Sequence, residues 1–371
     1  MTKAAIAMND LAGEPQSLRD SELAACDRVL RSGWWILGAE VAAFESQWAT
    51  WLQVPHAVGC GNGLDAIEIC LRALGIGPGD EVITTSMTAF ATVLAVIRSG
   101  ATPVLADIDS ETAMLSPVSV RRCISAKTKA ILLVHLYGQI GPVNELLALA
   151  REHDLRLIED CAQAHGAVWQ GASAGSFGEL AAWSFYPTKN LGAVGDGGAI
   201  TTSSQPLAEI ARSLRNYGQT VRYHHPTIGM NSRLDEIQAA ILRERLRFLQ
   251  GWVERRRVIA HAYASRIVNP RIRLMPLPPE RGRHAHHLFV VTSERRDELQ
   301  TYLKSHGVES LIHYPIAVHL QDPCRQLRRD PDGLARTERH AATCLSIPCH
   351  PGLTNEQVDR VAAVINDFGA R

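Results

Sequence analysis

The sequence predicts an α/β protein in which a large unit, built on a mostly parallel sheet covered by helices on both faces, is followed by a small α+β unit. Three observations carry this. Short β-branched runs alternate with helical patterns from about residue 55 to 202, and glycine and proline fall at the joints. One long charge-laced helical stretch then separates this region from a differently organised C-terminal part.

In chain order the alternation runs through 56–60, 64–74, 81–85, 91–98, 103–106, 130–136, 143–153 and 155–159. Gly75-Ile-Gly-Pro-Gly-Asp80 ends one helix and turns into a strand, and Gly100 ends another helix. The stretch 234–267 carries apolar residues at Ile237, Ala240, Ile241, Leu246 and Leu249 and is long enough to connect two domains. A proline-rich segment, 269–279, ends it. Beyond lie a strand at 287–292, a helix at 295–306, an irregular stretch to Pro351 and a closing helix at 355–368. The expected division is a large domain over 1–245 and a small one over 246–371, with the N-terminal segment packing on the small domain.

Composition narrows the function. The 371 residues carry 38 Lys+Arg against 38 Asp+Glu, and 46% are hydrophobic, which excludes a fully disordered chain. Zero formal net charge removes any global attraction for nucleic acid or an anionic membrane, so the expected partner is a small molecule held by local groups. No stretch reaches the roughly 18 apolar residues of a membrane span, and Met1 to Asp10 holds one lysine and no continuous apolar h-region of the kind a signal peptide needs. A cytoplasmic location is the expectation. The 8 cysteines, Cys60, Cys70 and Cys161 among them, form no C-x-x-C pair and are read as reduced and buried. His284, His286 and His287 lack metal-ligand spacing; no metal is expected, and a solvated loop is.

Three constellations carry chemistry. Val58-Gly-Cys-Gly-Asn-Gly-Leu-Asp65 is a glycine-rich turn between a strand and a helix, where free amides and the positive end of a helix dipole can hold a phosphate. A dinucleotide site would need an acidic residue about 20 positions on, at the end of the next strand; Asp80 and Glu81 precede that strand, which disfavours a nicotinamide enzyme. A tight turn that binds nothing is the plain alternative. In Leu155-Arg-Leu-Ile-Glu-Asp-Cys-Ala-Gln-Ala-His-Gly166, Asp160 sits at the carboxyl end of a buried strand, where α/β ligands bind. Such a carboxylate can keep a pyridinium nitrogen protonated, or it can simply cap the next helix. Glu159, one residue deeper, is the weaker candidate. In the third segment, 182–199, Lys189 lies between an aromatic strand and a loop rich in glycine, with no other Lys or Arg through Gln205. Shielding from water there would lower the amine's pKa and make it a nucleophile.

Read together, Gly61-Asn-Gly-Leu-Asp-Ala66, Glu159-Asp-Cys-Ala-Gln-Ala-His-Gly-Ala167, Ser184-Phe-Tyr-Pro-Thr-Lys-Asn-Leu-Gly192 and Gly229-Met-Asn-Ser-Arg-Leu-Asp-Glu-Ile-Gln-Ala-Ala240 closely resemble the nucleotide-sugar aminotransferases of the DegT/DnrJ/EryC1/StrS family. These belong to the fold-type I enzymes that use pyridoxal phosphate (PLP). The matches run in order from Trp34 to the closing helix. The resemblance implies roles residue by residue. Lys189 matches the lysine that forms the Schiff base with the cofactor and then moves a proton between substrate carbon and cofactor. Asp160 matches the partner of the pyridine nitrogen, and Gln163 the residue beside the ring hydroxyl. Ser184 matches a phosphate ligand, as do the backbone amides of Gly61, Asn62 and Gly63. Asn231 matches an asparagine that reaches the phosphate of the neighbouring subunit, which implies a homodimer with shared active sites. Arg215 and Arg233 are candidates for a donor carboxylate or a sugar diphosphate, and His313 and Tyr314 for the loop that approaches substrate; each of these four could equally be a surface or interface residue.

One departure concerns the ring. Family members follow the threonine at Thr88 with an aromatic that stacks on the cofactor, whereas this chain has Ala89 there and Phe90 one place later. Either a local shift brings Phe90 over the ring, or stacking is weaker and the pocket roomier. The implied reaction moves an amino group from L-glutamate through the PLP and pyridoxamine phosphate forms to a nucleotide-linked keto sugar, with motifs that look most like those of dTDP-3-keto-6-deoxyhexose 3-aminotransferases. Amination at C4, or of another UDP or GDP keto sugar, is the alternative. A pyridoxamine-dependent sugar dehydratase is opposed by the retention of Lys189, and a non-catalytic regulatory relative by Asp160, Gln163, Ser184 and Lys189 all being present.

Overall fold

The computed structural model describes residues 5–369. Two helices, α1 (Gln16–Ser32) and α2 (Ala39–Leu52), precede the sheet region. There follow β1 (His56–Cys60), α3 (Gly63–Ala73), β2 (Glu81–Thr85), α4 (Phe90–Arg98), β3 (Thr102–Ala106), α5 (Pro117–Cys123), β4 (Thr128–Val134), α6 (Val143–Glu152) and β5 (Arg156–Asp160). A ribbon of β6 (Val168–Trp169) and β7 (Ala172–Ser173) leads to β8 (Leu180–Ser184), β9 (Gly198–Thr202), α7 (Gln205–Leu214) and the long α8 (Glu236–Arg266). The C-terminal part holds β10 (Arg273–Leu274), β11 (Phe289–Thr292), α9 (Arg296–Ser305), α10 (Ala335–Thr343), β12 (Cys344–Ile347) and α11 (Asn355–Asp367).

The main sheet has seven strands in the order β1-β9-β8-β5-β4-β2-β3. From β8 to β3 every neighbour pair is parallel, and β9 alone runs against the rest, pairing antiparallel with both β8 and β1. The carboxyl ends of all the other strands therefore lie along one edge. Two buried cores flank the sheet, as continuous apolar strands require. One includes Phe44, Trp48, Trp183 and Phe185, and the other Ile67, Ile69, Val82 and Ile200. Residue 245 falls inside α8, and the helix changes cores further on: Leu249 and Val253 pack with the first sheet core, Ile259 and Tyr263 with the small C-terminal unit. Ile6 joins that small core, and its backbone bonds Gly307 and Glu309 at 2.8 and 2.9 Å.

Two expectations need correction. The stretch after residue 306, read as irregular, contains α10 and the buried strand β12, which pairs antiparallel with β11. Four residues are too few to show a period against the loops around them. The segment holding His284, His286 and His287 is no solvated loop, since all three side chains are buried. The His284 carbonyl accepts from Arg257 at 3.1 Å, the rings of His284 and His286 stack at 3.8 Å, and His287 Nδ1 lies 3.4 Å from Asn190 Oδ1. Burial holds all three pKa values down, so they pack as neutral rings.

The strand that delivers Asp160 also explains why Glu159 is not its equivalent. Glu159 points to the opposite face and is fully buried. Its carboxylate accepts the amides of Gly175, Phe177 and Gly178 at 2.7 to 2.9 Å and lies 2.8 Å from His135 Nε2. His135 Nδ1 faces the Gly141 N–H at 3.2 Å, so Nε2 carries the proton donated to Glu159. Replacing Glu159 by Ala strands several buried donors. The expected cost is about 3 kcal/mol or more, read as a lower thermal midpoint in calorimetry; an unchanged midpoint would contradict this account.

Candidate active site

The edge formed by the strand ends gathers most of the residues singled out in the sequence. Asp160 ends β5 and is buried. Its Oδ2 accepts the Thr92 hydroxyl at 2.8 Å and its Oδ1 the Ala162 amide at 3.1 Å. Thr92 has one hydroxyl proton, and the carboxylate takes it. Thr88, whose Oγ1 lies 2.8 Å from that of Thr92, must then be the donor in their bond. A relay from Thr88 through Thr92 thus fixes the orientation of Asp160. Neither threonine was singled out as a ligand or partner of Asp160. Their spacing of four residues at the start of α4 is the one sequence signal that could have found them.

Lys189 sits on the turn after β8, its N–H bonded to the Tyr186 carbonyl at 2.8 Å, and it is half-buried. Burial pushes its pKa down to about 8, against the opposing pull of the Asp160 charge. His165 lies under the same turn with its ring against Trp48, Trp183 and Phe185. Burial and the Lys189 charge bring its pKa down to about 3, so it stays neutral and adds no competing charge. Next to Lys189, a cavity of about 200 Å³ is lined in part by Asn9, Asp10, Trp252, Arg256 and His350.

The glycine turn is more selective than the sequence suggested. Gly61 already donates its N–H to Ser232 Oγ at 3.0 Å, and Asn62 caps α3 by accepting the Asp65 amide at 2.8 Å. Gly63 and Leu64 open α3, and their amides have no intrahelical acceptor. Gly63 presses against Ser184 at the end of β8: a Cβ here would lie 2.6 Å from that of Ser184. Only glycine lets the helix terminus and the serine hydroxyl converge, and together they form an anion cradle.

Gln163 is buried between two partners. Its Oε1 accepts the Tyr137 amide at 2.6 Å and its Nε2 donates to the Tyr314 hydroxyl at 3.2 Å. Burial and the Asp160 charge raise the Tyr314 pKa to about 12, so the phenol remains protonated. His313 bonds Ser346 Oγ through Nδ1 at 2.8 Å, and burial together with the Lys189 charge lowers its pKa to about 4. The C-terminal loop is therefore electrostatically coupled to both Lys189 and Asp160.

The other candidates are placed differently. Phe90 packs against a cluster of Val93, Leu105, Val318, Cys324 and Leu334. Arg215 is buried, and its guanidinium is committed to the Glu45 carboxylate and to the Gly59 carbonyl at 2.6 Å; it serves as an internal ion pair, not as an anion-facing group. Its place at the end of α7 gave no warning of this, because Glu45 is 170 residues away in sequence. Arg233 is half-buried, 3.2 Å from Asn216 Oδ1 and 5.0 Å from the Tyr217 ring. Asn231 is exposed on the excursion between α7 and α8.

These residues fit PLP. Lys189 offers an amine close to its neutral form, Asp160 an anchored carboxylate for a pyridinium nitrogen, Gln163 a side chain oriented by Tyr137, and Gly63, Leu64 and Ser184 a site for a phosphate. Such a site on such a sheet defines a fold-type I PLP enzyme. The chain matches the DegT/DnrJ/EryC1/StrS aminotransferase family over residues 16–366, and it belongs to that family as a PLP-dependent aminotransferase.

Two similar relatives and one solved structure illustrate the match. The dTDP-3-amino-3,4,6-trideoxy-alpha-D-glucose transaminase of Streptomyces venezuelae is 44% identical over 364 residues, 98% of this chain and 96% of that protein. The UDP-N-acetyl-3-dehydro-alpha-D-glucosamine 3-aminotransferase of Acidithiobacillus ferrooxidans is 42% identical, covering 97% of each. The crystal structure of S. venezuelae DesV in complex with a ketimine intermediate superposes with a TM-score of 0.95 at 43% identity, covering 100% of both chains.

Two outcomes are expected. The rate at which the apoprotein captures PLP, followed by absorbance, should rise as pH passes through about 8 and level off above it, because only the neutral Lys189 amine attacks; an inflection near the ordinary lysine value would contradict the lowered pKa. Thr92→Val keeps the shape but removes the donor to Asp160, and should weaken PLP retention about tenfold, as expected for a lost hydrogen bond to a charged group. Retention equal to wild type would refute a role for the relay.

Proposed function

We propose that the enzyme transfers the amino group of L-glutamate to the C3 ketone of a dTDP-linked 6-deoxyhexose, working as a homodimer in the cytoplasm. The observation that carries the reaction type is the half-buried Lys189, with a pKa near 8, at the same sheet edge as the anchored Asp160. When bound, PLP supplies an electron sink for charge developing at the substrate carbon. The protein supplies the rest. Lys189 carries the proton to and from that carbon, Asp160 holds the ring nitrogen protonated, and Gln163 turns an N–H toward the ring hydroxyl. The amides of Gly63 and Leu64, with the Ser184 hydroxyl, hold the phosphate and so fix the ring against rotation.

His313 and the protonated Tyr314 face the substrate side, and Arg233 is the candidate for the donor carboxylate or the sugar diphosphate. The choice of C3 rests on the sequence motifs and on the names of relatives that act on dTDP-linked and UDP-linked 3-amino sugars. The second of these keeps a UDP-linked substrate as the competing reading. Support for the homodimer comes from the 216–231 excursion, where Tyr223 and Ile228 are 79% and 86% exposed beside Asn231. Apolar side chains in that setting suit burial against a second copy, with Asn231 reaching its phosphate site. All eight cysteines are free thiols, which suits a reducing compartment. No helix among the described residues is long and apolar enough to cross a membrane.

The test runs the half-reaction backwards. PLP-loaded enzyme is offered dTDP-, UDP- and GDP-linked amino sugars, and conversion of the cofactor to its pyridoxamine form is followed by absorbance. The expected result is conversion by dTDP-3-amino-6-deoxy sugars. Conversion only by 4-amino sugars, or only by UDP-linked sugars, would overturn the assignment.

A further inference from the structure

The turn that follows β4 holds together two parts of the site that are far apart in sequence. Tyr137 lies on it with a fully buried ring and a left-handed backbone, φ 60° and ψ −1°. A residue with a side chain keeps that conformation only where its surroundings over-determine it. Three contacts do so here. The Tyr137 N–H donates to Gln163 Oε1 at 2.6 Å, its carbonyl accepts the Leu288 amide at 3.2 Å, and its hydroxyl donates to the His313 carbonyl at 2.7 Å. Gly138, next in the chain, is pressed against the Gln163 carbonyl, which a Cβ would approach to 2.8 Å.

Donor chemistry fixes the direction of every bond in this circuit. A backbone N–H can only donate, so Gln163 must turn its oxygen to Tyr137 and its nitrogen toward Tyr314, 3.2 Å away. The Tyr314 oxygen then accepts, which leaves its own proton free for the site. A carbonyl can only accept, so the single hydroxyl proton of Tyr137 goes to His313. His340 Nε2, 3.0 Å from the Tyr137 oxygen, must therefore donate, which fixes the Nε2–H tautomer of that buried ring. The ring closes: Tyr137 holds Gln163, Gln163 holds Tyr314, and Tyr137, braced by His340, holds the backbone of the residue before Tyr314.

We infer that Tyr137 and His340 are positioning residues, which lock the His313–Tyr314 loop to Gln163 so that Gln163 keeps an N–H for the cofactor's ring hydroxyl and Tyr314 presents an O–H to the bound substrate. The inference rests on the aminotransferase reading for its substrate, though not for its geometry. Neither residue touches the reacting atoms. Their effect falls on how well the loop is preorganised, and so on KM for the nucleotide sugar more than on the proton transfers at Lys189.

The test compares full-length holoenzymes carrying Tyr137→Phe, His340→Leu and His340→Gln with wild type. Tyr137→Phe removes only the hydroxyl and leaves the amide bond to Gln163. It should raise KM for the keto sugar about tenfold while kcat stays within about threefold. His340→Leu should do the same, and His340→Gln, whose amide N–H replaces Nε2–H, should restore most of the loss. Hydrogen exchange of the peptide spanning 309–316 needs no substrate, and it should quicken in Tyr137→Phe and His340→Leu but not in His340→Gln. An unchanged KM together with unchanged exchange in Tyr137→Phe would overturn the inference. So would a Gln variant as impaired as the Leu variant, since a purely structural role would lower the thermal midpoint without distinguishing a retained donor. If His340→Leu fails to fold, Tyr137→Phe and His340→Gln still decide. Failure of the aminotransferase reading would show instead as wild-type protein that turns over no sugar, with the exchange result unaffected.

Discussion

The site depends on a balance at Lys189 between desolvation and the attraction of Asp160. Removing an ammonium from water disfavours its charged form, while a nearby carboxylate favours it. Here desolvation is the larger effect, and the amine settles near 8 instead of its ordinary value above 10. A lysine more deeply buried without the carboxylate would be neutral but poorly placed to recover a proton. One fully exposed would be a persistent cation. The intermediate value suits a group that must act as nucleophile and then as proton carrier at the same carbon.

The fold produces this balance through adjacency in the sheet. β5 and β8 are parallel neighbours in which Asp160 pairs with Ala182, so the strand that ends in Asp160 lies beside the one that leads to Ser184 and the Lys189 turn. The helix after β1 points its first amides at the same edge, and Gly63 removes the one side chain that would keep them from Ser184. Alternation along β5 separates two adjacent carboxylates into different tasks. Glu159 is saturated by backbone amides and His135 on one face, while Asp160 on the other keeps capacity for a ligand. The cluster of His135, Glu159 and Cys161 is close enough to suggest a metal, but His135 and Glu159 already use their lone pairs on each other and on backbone amides, and burial keeps the Cys161 thiol protonated.

Much of this was legible in the sequence, and the exceptions share a cause. The parallel strands, α8 and the ordered motifs around Gly61, Asp160 and Lys189 depend on local periodicity and on short-range chemistry, which a sequence displays. Arg215 does not: whether it faces an anion or Glu45 depends on a contact across the sheet core. The histidines at 284, 286 and 287 look like a polar loop until α8 and the Tyr137 turn are placed over them. Thr92, Tyr137 and His340 act through bonds to residues 68, 26 and 203 positions away; the Thr88–Thr92 spacing is the one local trace of the first, and no local pattern marks the other two. Phe90 stands one position beyond the expected aromatic, opens α4 and packs against the cluster around Val93 and Leu105, a contact its sequence neighbours do not announce.

The chain contains five lysines, Lys3, Lys127, Lys129, Lys189 and Lys304, which makes the central assignment directly measurable. PLP-loaded protein is reduced with borohydride, digested and mapped by mass spectrometry. A stoichiometric phosphopyridoxyl adduct is expected on the peptide containing Lys189. An adduct confined to any of the other four lysines, or no adduct at all, would contradict the assignment.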